Sequence, residues 1–425
     1  MADFTTLSID ELKKLEEELA GRHSQFKDLG LDMTRGKPSS EQLDLANEMI
    51  SILDKDDYKD AKGTDCRNYG GIDGLAECKA IFAEFLEVET SELLMGGNAS
   101  LQLMHDAVVR ALLKGVPDGD KPWSKYEKIK FLCPSPGYDR HFAICEHYGI
   151  EMILVDTKED GPDMDQVEKL VLQDDSIKGM WCVPKYGNPT GIVYSDKVIE
   201  RMAQMKAAAK DFRIFYDNAY AVHYLGEKPA VIKNILKACK DAGNANRVLI
   251  FGSTSKITFA GSGLSCMGAS EENIKNAIAT ISKQTIGPDK LNMLRHVRFF
   301  KDMNGILAHM EKHAKILRPK FEVIKEIFHK ELEGSGIAQW TDPEGGYFVS
   351  MDVLDGCASV AVALAGEAGV KLTGAGATFP YNKDPRDRNF RIAPTLPPYE
   401  EVKTAMEVVA ICIQLACVRK LIADK

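Results

Sequence analysis

Polar and apolar residues recur along this chain in periods that mark its elements. Ser8 and Glu11 are spaced as a capping box, and Leu12, Leu15 and Leu19 then share one helical face. The first element is therefore predicted as a surface helix that packs on something else. A polar stretch containing Pro and Gly follows at Asp32–Ser40. From residue 92 onward, short β-like runs occur at Ile129–Cys133, Met152–Val155, Gly179–Val183, Arg213–Tyr216, Val248–Phe251 and Leu264–Gly268. Helical stretches separate most of them, one with Leu101, Met104, Val108 and Leu112 on a single face. The last two runs are joined by a short segment, which leaves room for one antiparallel strand.

This alternation predicts an α/β fold: a large domain with a mostly parallel sheet layered by helices. Binding chemistry is then expected at the carboxyl ends of the strands. After residue 320 the character changes. A long charged helix (His309 to Lys330) leads into GGYFVSMDV, AVALAGEAGVKL, a loop, FRIAP and a final helix, the pattern of a smaller α+β domain. The predicted division is 1–55 as an N-terminal segment packing with the small domain, 56–319 as the large domain and 320–425 as the small C-terminal domain. No internal repeat or low-complexity linker interrupts it.

Composition narrows the partners. The chain has 425 residues, 44% hydrophobic and 28% charged, with a formal net charge of −9. An acidic protein of this kind is not expected to have nucleic acid or an anionic membrane as its main partner. No apolar run approaches the ~20 residues of a membrane span, and the charged N-terminus lacks the apolar centre of a signal peptide. The ten cysteines have no metal-type pairing and read as reduced, mostly buried small hydrophobes of a cytoplasmic protein. His309 and His313 lie one helical turn apart, but Glu311 sits on another face. A solvated helix is expected there, and no metal site.

Five landmarks follow predicted strands or open helices. Gly96-Gly97-Asn98-Ala99-Ser100 precedes the helix at Leu101, where free backbone N–H groups and the helix dipole suit an anion such as phosphate. The plain alternative is a tight turn. Pro134-Ser135-Pro136-Gly137-Tyr138 puts an aromatic ring on a rigid turn, either to stack on a flat ligand or merely half-buried. Asn188-Pro189-Thr190-Gly191 stops a strand and holds the Asn188 amide at the sheet edge. Asp217 directly follows an apolar strand, an expensive place for an acid unless it meets a cation; a capping role is the alternative. Gly252-Ser253-Thr254-Ser255-Lys256 places an amine among apolar and hydroxylated neighbours, where its pKa would fall toward that of a nucleophile.

Each landmark alone is ambiguous, but the ordered set resembles the fold-type I pyridoxal-phosphate-dependent aminotransferases of class I/II. Asn-Pro-Thr-Gly, Asp-x-x-Tyr and Ser-x-Ser-Lys occur with gaps of 29 residues from Asn188 to Asp217 and 39 from Asp217 to Lys256. Tyr69-Gly70 and Gly74-Leu75-x-Glu77 match an upstream element of the family, and Phe390-Arg391-Ile392 its carboxylate-binding arginine. TRGKP at 34–38, GPDKLN at 287–292, GATFP and RNFRIAPTLP look most like a bacterial aspartate aminotransferase branch, one related to regulator-type aminotransferase domains.

The resemblance implies pyridoxal 5′-phosphate as cofactor, carried by Lys256 as a Schiff base, with the same amine later shuttling a proton. Asp217 would pair with the pyridine nitrogen, Asn188 and Tyr220 would bond the ring's 3-oxygen, and Tyr138 would stack on its face. Backbone N–H groups of Asn98 and Ala99, with the hydroxyls of Ser100, Ser253 and Ser255, would cradle the phosphate. Tyr69 would reach the phosphate of a neighbouring subunit, implying a homodimer with shared active sites. Arg391 and the Gly36 N–H would clamp the substrate α-carboxylate. For a distal carboxylate the candidates are Arg35, then Lys290, then Arg140, each with an alternative as a surface or structural ion pair. Many family members carry an Arg eight positions after the Schiff-base Lys; here that position is Leu264.

The implied reaction is transamination of aspartate with 2-oxoglutarate, giving oxaloacetate and glutamate, the partners being a small amino acid and a 2-oxo acid. Transamination of aromatic or other amino acids, or another reaction on the same cofactor, is the alternative, because fold alone does not decide chemistry. A DNA-binding regulator would need a domain ahead of TRGKP, where too few residues lie. A nucleotide-binding oxidoreductase would need a G-x-G-x-x-G after a strand, and none is present.

Overall fold

The computed structural model describes residues 3–425. Its centre is an eight-stranded sheet in the order Leu93–Met95, Ser265–Ala269, Val248–Ser253, Arg213–Asp217, Ile177–Cys182, Lys130–Ser135, Glu151–Lys158, Gly161–Pro162. The strands from Val248–Ser253 through Glu151–Lys158 are mutually parallel. Those at Ile177, Arg213 and Val248 are buried at every residue, which is why they read as mostly apolar runs without alternation. Ser265–Ala269 is antiparallel to both of its neighbours. Its connection from Ser253 is too short for the helical crossover a parallel neighbour requires.

Side chains alternate across the sheet. Phe131, Trp181, Phe215 and Phe251 belong to a core under the helices Ser100–Lys114, Asp139–His147 and Glu271–Ile281. Leu132, Met180, Ile214 and Ile250 face the opposite, larger core. All ten cysteines are buried, and none is in a disulfide.

A second, three-stranded antiparallel sheet is formed by Ala338–Trp340, Val349–Val353 and Asn389–Ile392. Ala358–Glu367 packs on its Asn389–Ile392 strand, and the Tyr399–Asp424 helix, buried along most of its length, packs against Ala358–Glu367 in turn. The N-terminal helix Ile9–His23 starts on the Ser8–Glu11 capping box and lies along Tyr399–Asp424, with Arg419 paired to Glu16 at 2.9 Å. Leu31–Asp32 pairs with Val370–Lys371. The helix expected over His309–Lys330 is longer, Met303–Leu332, so the division drawn at 319/320 falls inside one continuous helix that contains Pro319. No helix among the described residues is long and apolar enough to cross a membrane.

Candidate active site

The carboxyl ends of the parallel strands bring the landmarks together. Asp217 ends its strand and is only 3% exposed. Its Oδ2 accepts a hydrogen bond from His141 Nε2 at 3.0 Å, while Oδ1 is buried with no partner. His141 lies flat on Trp181, ring centroids 4.4 Å apart, so the aromatic layer beneath the sheet end fixes the imidazole that fixes the acid. A buried carboxylate oxygen without a donor carries a large desolvation penalty, and a ligand N–H would relieve it.

His141 was not anticipated. It lies one helical turn after Tyr138, on the helix opened by that turn. Two aromatic side chains at that spacing after a strand end were the available signal. The Tyr138 ring meets His141 edge-on at 4.9 Å, and burial, reinforced by Asp217, pushes its phenol up to about 12. The phenol therefore stays neutral, on a residue that is half-buried.

Lys256 follows the neighbouring strand in a single turn closed by Ile257 and Thr258 N–H donating to the Thr254 carbonyl, each at 2.9 Å. Its Nζ sits 4.9 Å from the centre of the Tyr220 ring and forms no ion pair among the described residues. By exposed area the side chain is only half-buried, yet the amine end is surrounded by protein. That enclosure lowers its pKa, and the Asp217 charge opposes the shift. Tyr220 is buried, which raises its phenol well above the ordinary value; Tyr138, Asp217, Arg391 and Tyr347 all lie within electrostatic reach.

Arg391 comes from the small sheet. Its Nη1 donates to Asn188 Oδ1 at 3.0 Å and to Asp139 Oδ1 at 3.3 Å, and the guanidinium lies 4.7 Å over the Phe348 ring. Its Nε is buried without a partner. Asn188 spends its oxygen on this arginine and keeps its amide N–H groups free, the donor role expected of it. Gly36 lies against the same Phe348: a Cβ there would stand 2.2 Å from the ring's Cζ, so only glycine fits. Arg35 beside it is exposed and forms no ion pair among the described residues.

The anion cradle is built by zipping two loops. Gly96 N–H donates to the Ser265 carbonyl at 2.7 Å, and Ser265 N–H returns a bond to the Gly97 carbonyl at 2.7 Å. A Cβ on Gly96 would lie 2.7 Å from Ser265 Oγ, so glycine allows the approach. The following helix, Ser100–Lys114, has Ala99 as N-cap and no side-chain cap, leaving its first N–H groups unfilled. Ser100 and Ser253 are buried there. Ser255 gives its hydroxyl proton to the Asn98 carbonyl at 3.2 Å, so it closes the loop rather than presenting a free donor. Leu264 is buried, and its backbone pairs both ways with Thr254 at 2.8 Å, so no cation reaches the cradle from that position.

Four other expectations come out differently or apart. Lys290 is buried with Nζ on the Gly70 carbonyl at 2.7 Å; it shapes the Tyr69 loop and is not free for a substrate. Arg140 is exposed and borders a groove of ≈ 610 Å³ that also touches Asn98, Ala99 and His105. His309 and His313 are buried, at 4% and 1%, against the Lys256 turn, not on a solvated face. Ile306, Met310, Ala314 and Leu317 form the apolar stripe that carries them inward. Tyr69 stands 81% exposed.

A parallel sheet ending in a lysine turn, a half-satisfied buried aspartate and an uncapped helix start define the fold-type I class of pyridoxal-phosphate aminotransferases. The sequence model of the family described as "Aspartate amino-transferase" matches residues 7–425. An aspartate aminotransferase of Corynebacterium glutamicum is 48% identical over 407 residues, 96% of this chain and 93% of the relative. A solved aspartate transaminase from that organism superimposes with a TM-score of 0.97 at 45% identity, covering 99% of each chain. The α-aminoadipate aminotransferase LysN of Thermus thermophilus, solved with N-(5'-phosphopyridoxyl)-L-leucine, shares the fold at a TM-score of 0.73 and 20% identity, covering 96% of this chain and 98% of its own. The chain belongs to the aspartate aminotransferase family.

Proposed function

We propose that this protein is a pyridoxal-phosphate-dependent transaminase taking L-aspartate and 2-oxoglutarate to oxaloacetate and L-glutamate, working as a cytoplasmic homodimer. The observation that carries the reading is the orphaned Asp217 Oδ1, buried beside a lysine whose amine has no ion partner. Pyridoxal phosphate, when bound, supplies an aldehyde for that amine and a ring that withdraws electrons from the substrate.

The chain's own residues then have distinct work. Asp217 Oδ1 accepts the ring N–H and keeps that nitrogen protonated. Lys256 Nζ would hold the cofactor, and the same amine would move the proton at the substrate Cα. Burial lowers the pKa of this amine, the direction that favours a base. Asn188 Nδ2 and the Tyr220 hydroxyl donate to the ring's 3-oxygen, and Tyr138 covers one ring face. The N–H groups of Asn98 and Ala99, with the Ser100 and Ser253 hydroxyls, hold the phosphate; Ser255 closes their loop.

Arg391, oriented by Asn188, Asp139 and Phe348, clamps the α-carboxylate with the Gly36 N–H. The exposed Arg35 guanidinium reads the distal carboxylate. Tyr69, projecting from its chain, completes the phosphate site of a second copy.

Borohydride reduction of the cofactor-treated protein, followed by peptide mapping, tests the assignment: the label is expected on Lys256. Single-turnover spectra with aspartate, glutamate and aromatic amino acids test the substrate. Aspartate that leaves the cofactor's visible band unchanged would overturn the substrate assignment; a colourless protein would overturn the whole reading.

A further inference from the structure

The turn that carries Lys256 leaves two carbonyls, those of Lys256 and Ile257, without backbone partners among the described residues. Side chains from distant segments fill them. His223 Nε2 lies 3.2 Å from the Lys256 carbonyl, and the Tyr347 hydroxyl donates to the same oxygen at 3.4 Å. His309 Nε2 lies 2.8 Å from the Ile257 carbonyl, which also lies beside His313. His313 Nε2 stands 3.1 Å from His309 Nε2, the spacing of two donors on one oxygen. A carbonyl has two lone pairs, so the Lys256 oxygen is filled and the Ile257 oxygen has room for the His313 proton beside that of His309.

The protons can be assigned from this network. Each imidazole that meets a carbonyl must carry its hydrogen on Nε2. Gln42 Nε2, buried in the N-terminal segment, lies 3.0 Å from His313 Nδ1 and donates to the Tyr347 hydroxyl at 2.9 Å. Gln42 has its oxygen occupied by the Ser39 N–H at 3.1 Å, so only its amide hydrogens face His313. His313 Nδ1 must therefore be an acceptor. The Nδ1 atoms of His223 and His309 are buried with no partner among the described residues. Burial keeps the three imidazoles neutral; with the Lys256 charge next to His223 and His309 next to His313, both fall to about 3.

Filling two carbonyls does not require this. Orphaned ring nitrogens are a standing penalty that a shorter amide or a hydroxyl would avoid. The arrangement does fix the backbone on both sides of the one amine whose aim matters.

We propose that His309 and His313, with His223 and Tyr347, are positioning residues for Lys256: as neutral Nε2 donors they clamp the Lys256 and Ile257 carbonyls and so aim the amine, and Gln42 locks the His313 tautomer. The inference rests on Lys256 being the cofactor-bearing amine. It goes beyond that reading because none of these side chains belongs to the cofactor or substrate shell.

The test uses two amides of different reach. Glutamine places its N–H near the position of histidine Nε2, whereas asparagine is too short to do so. His309→Gln and His309→Asn are loaded with pyridoxal phosphate and reacted with aspartate in single turnover. A displaced reacting group lowers the first-order rate at saturating substrate by about 10- to 100-fold. That loss is expected for His309→Asn, with half-saturation unchanged within about twofold because Arg391 is untouched. The pH midpoint of the bound cofactor's visible band should move with it, and His309→Gln should restore both.

In the apoproteins, hydrogen exchange of a peptide spanning residues 253–260 should be faster in His309→Asn and near wild type in His309→Gln. Equal rates and midpoints in His309→Asn and wild type, or equal impairment of both variants, would overturn the proposal. A wild-type protein that forms no visible band would instead remove the lysine assignment beneath it, so the two failures are distinguishable.

Discussion

Replacing Asp217 by Asn should weaken the reaction and strengthen the empty protein. In the apoprotein the carboxylate is 3% exposed, with one oxygen on His141 and the other without a donor. Asparagine keeps an acceptor for His141 and removes the buried charge. An unsatisfied buried group costs about 1–3 kcal/mol, more when charged, so the apoprotein should gain roughly 1–2 kcal/mol. In a chain of this length that is a rise in melting temperature of at most about 2–4 °C per kcal/mol. With cofactor present the balance reverses. Removing one member of a buried ion pair costs about 3–5 kcal/mol. At one decade per ~1.4 kcal/mol, that is roughly a 10²- to 10⁴-fold loss of the half-reaction rate with aspartate. Thermal melting of the apoprotein and single-turnover absorbance of the loaded protein measure the two effects. Turnover within tenfold of wild type, or a destabilised apoprotein, would refute the reasoning.

Arg391→Lys keeps a charge but loses the planar fork that Asn188 and Asp139 orient. The value of kcat/KM for aspartate should fall about 100-fold in steady-state kinetics, and an unchanged value would remove Arg391 from the carboxylate site. His223 and His313 lie near 3 and His296 near 4 when folded, all lowered first by burial, against 6.5 unfolded. Their neutral forms therefore stabilise the fold fully above pH 6.5, and that contribution is lost as pH falls from 6.5 toward 4. Each group costs about 1.4 kcal/mol per pH unit in that window. The urea midpoint should drop on acidification, with a shallower slope in His313→Gln. Tyr69→Ala should leave the unfolding free energy of the apoprotein within about 0.5 kcal/mol of wild type in denaturant melts, since the side chain is exposed. If a second copy uses it, cofactor titrations will show weaker binding.

The central strands could be read from the sequence because a parallel sheet covered on both faces demands continuous apolar runs, and these sit where Ile177–Cys182, Arg213–Asp217 and Val248–Ser253 form. The N-terminal helix was equally plain, since Ser8 and Glu11 satisfy each other within one turn. Asp217, Asn188 and Lys256 could be singled out because each follows a strand end in a local motif. What joins them was not legible. His141 meets Asp217 across 76 residues, Arg391 meets Asn188 across 203, and Lys290 meets Gly70 across 220. Periodicity reports which face of an element is covered, but not by what. Glu311, on another face, made the His309–His313 helix look solvated, and the relationship of Gln42 to Lys256 has no local signature because Gln42 reaches the lysine turn only through His313 and Tyr347. The sequence by itself determined the elements and the reactive side chains, through short-range sterics and burial. Only tertiary packing decided which donors those side chains meet, because hydrogen-bond geometry between remote segments exists only once the layers are assembled.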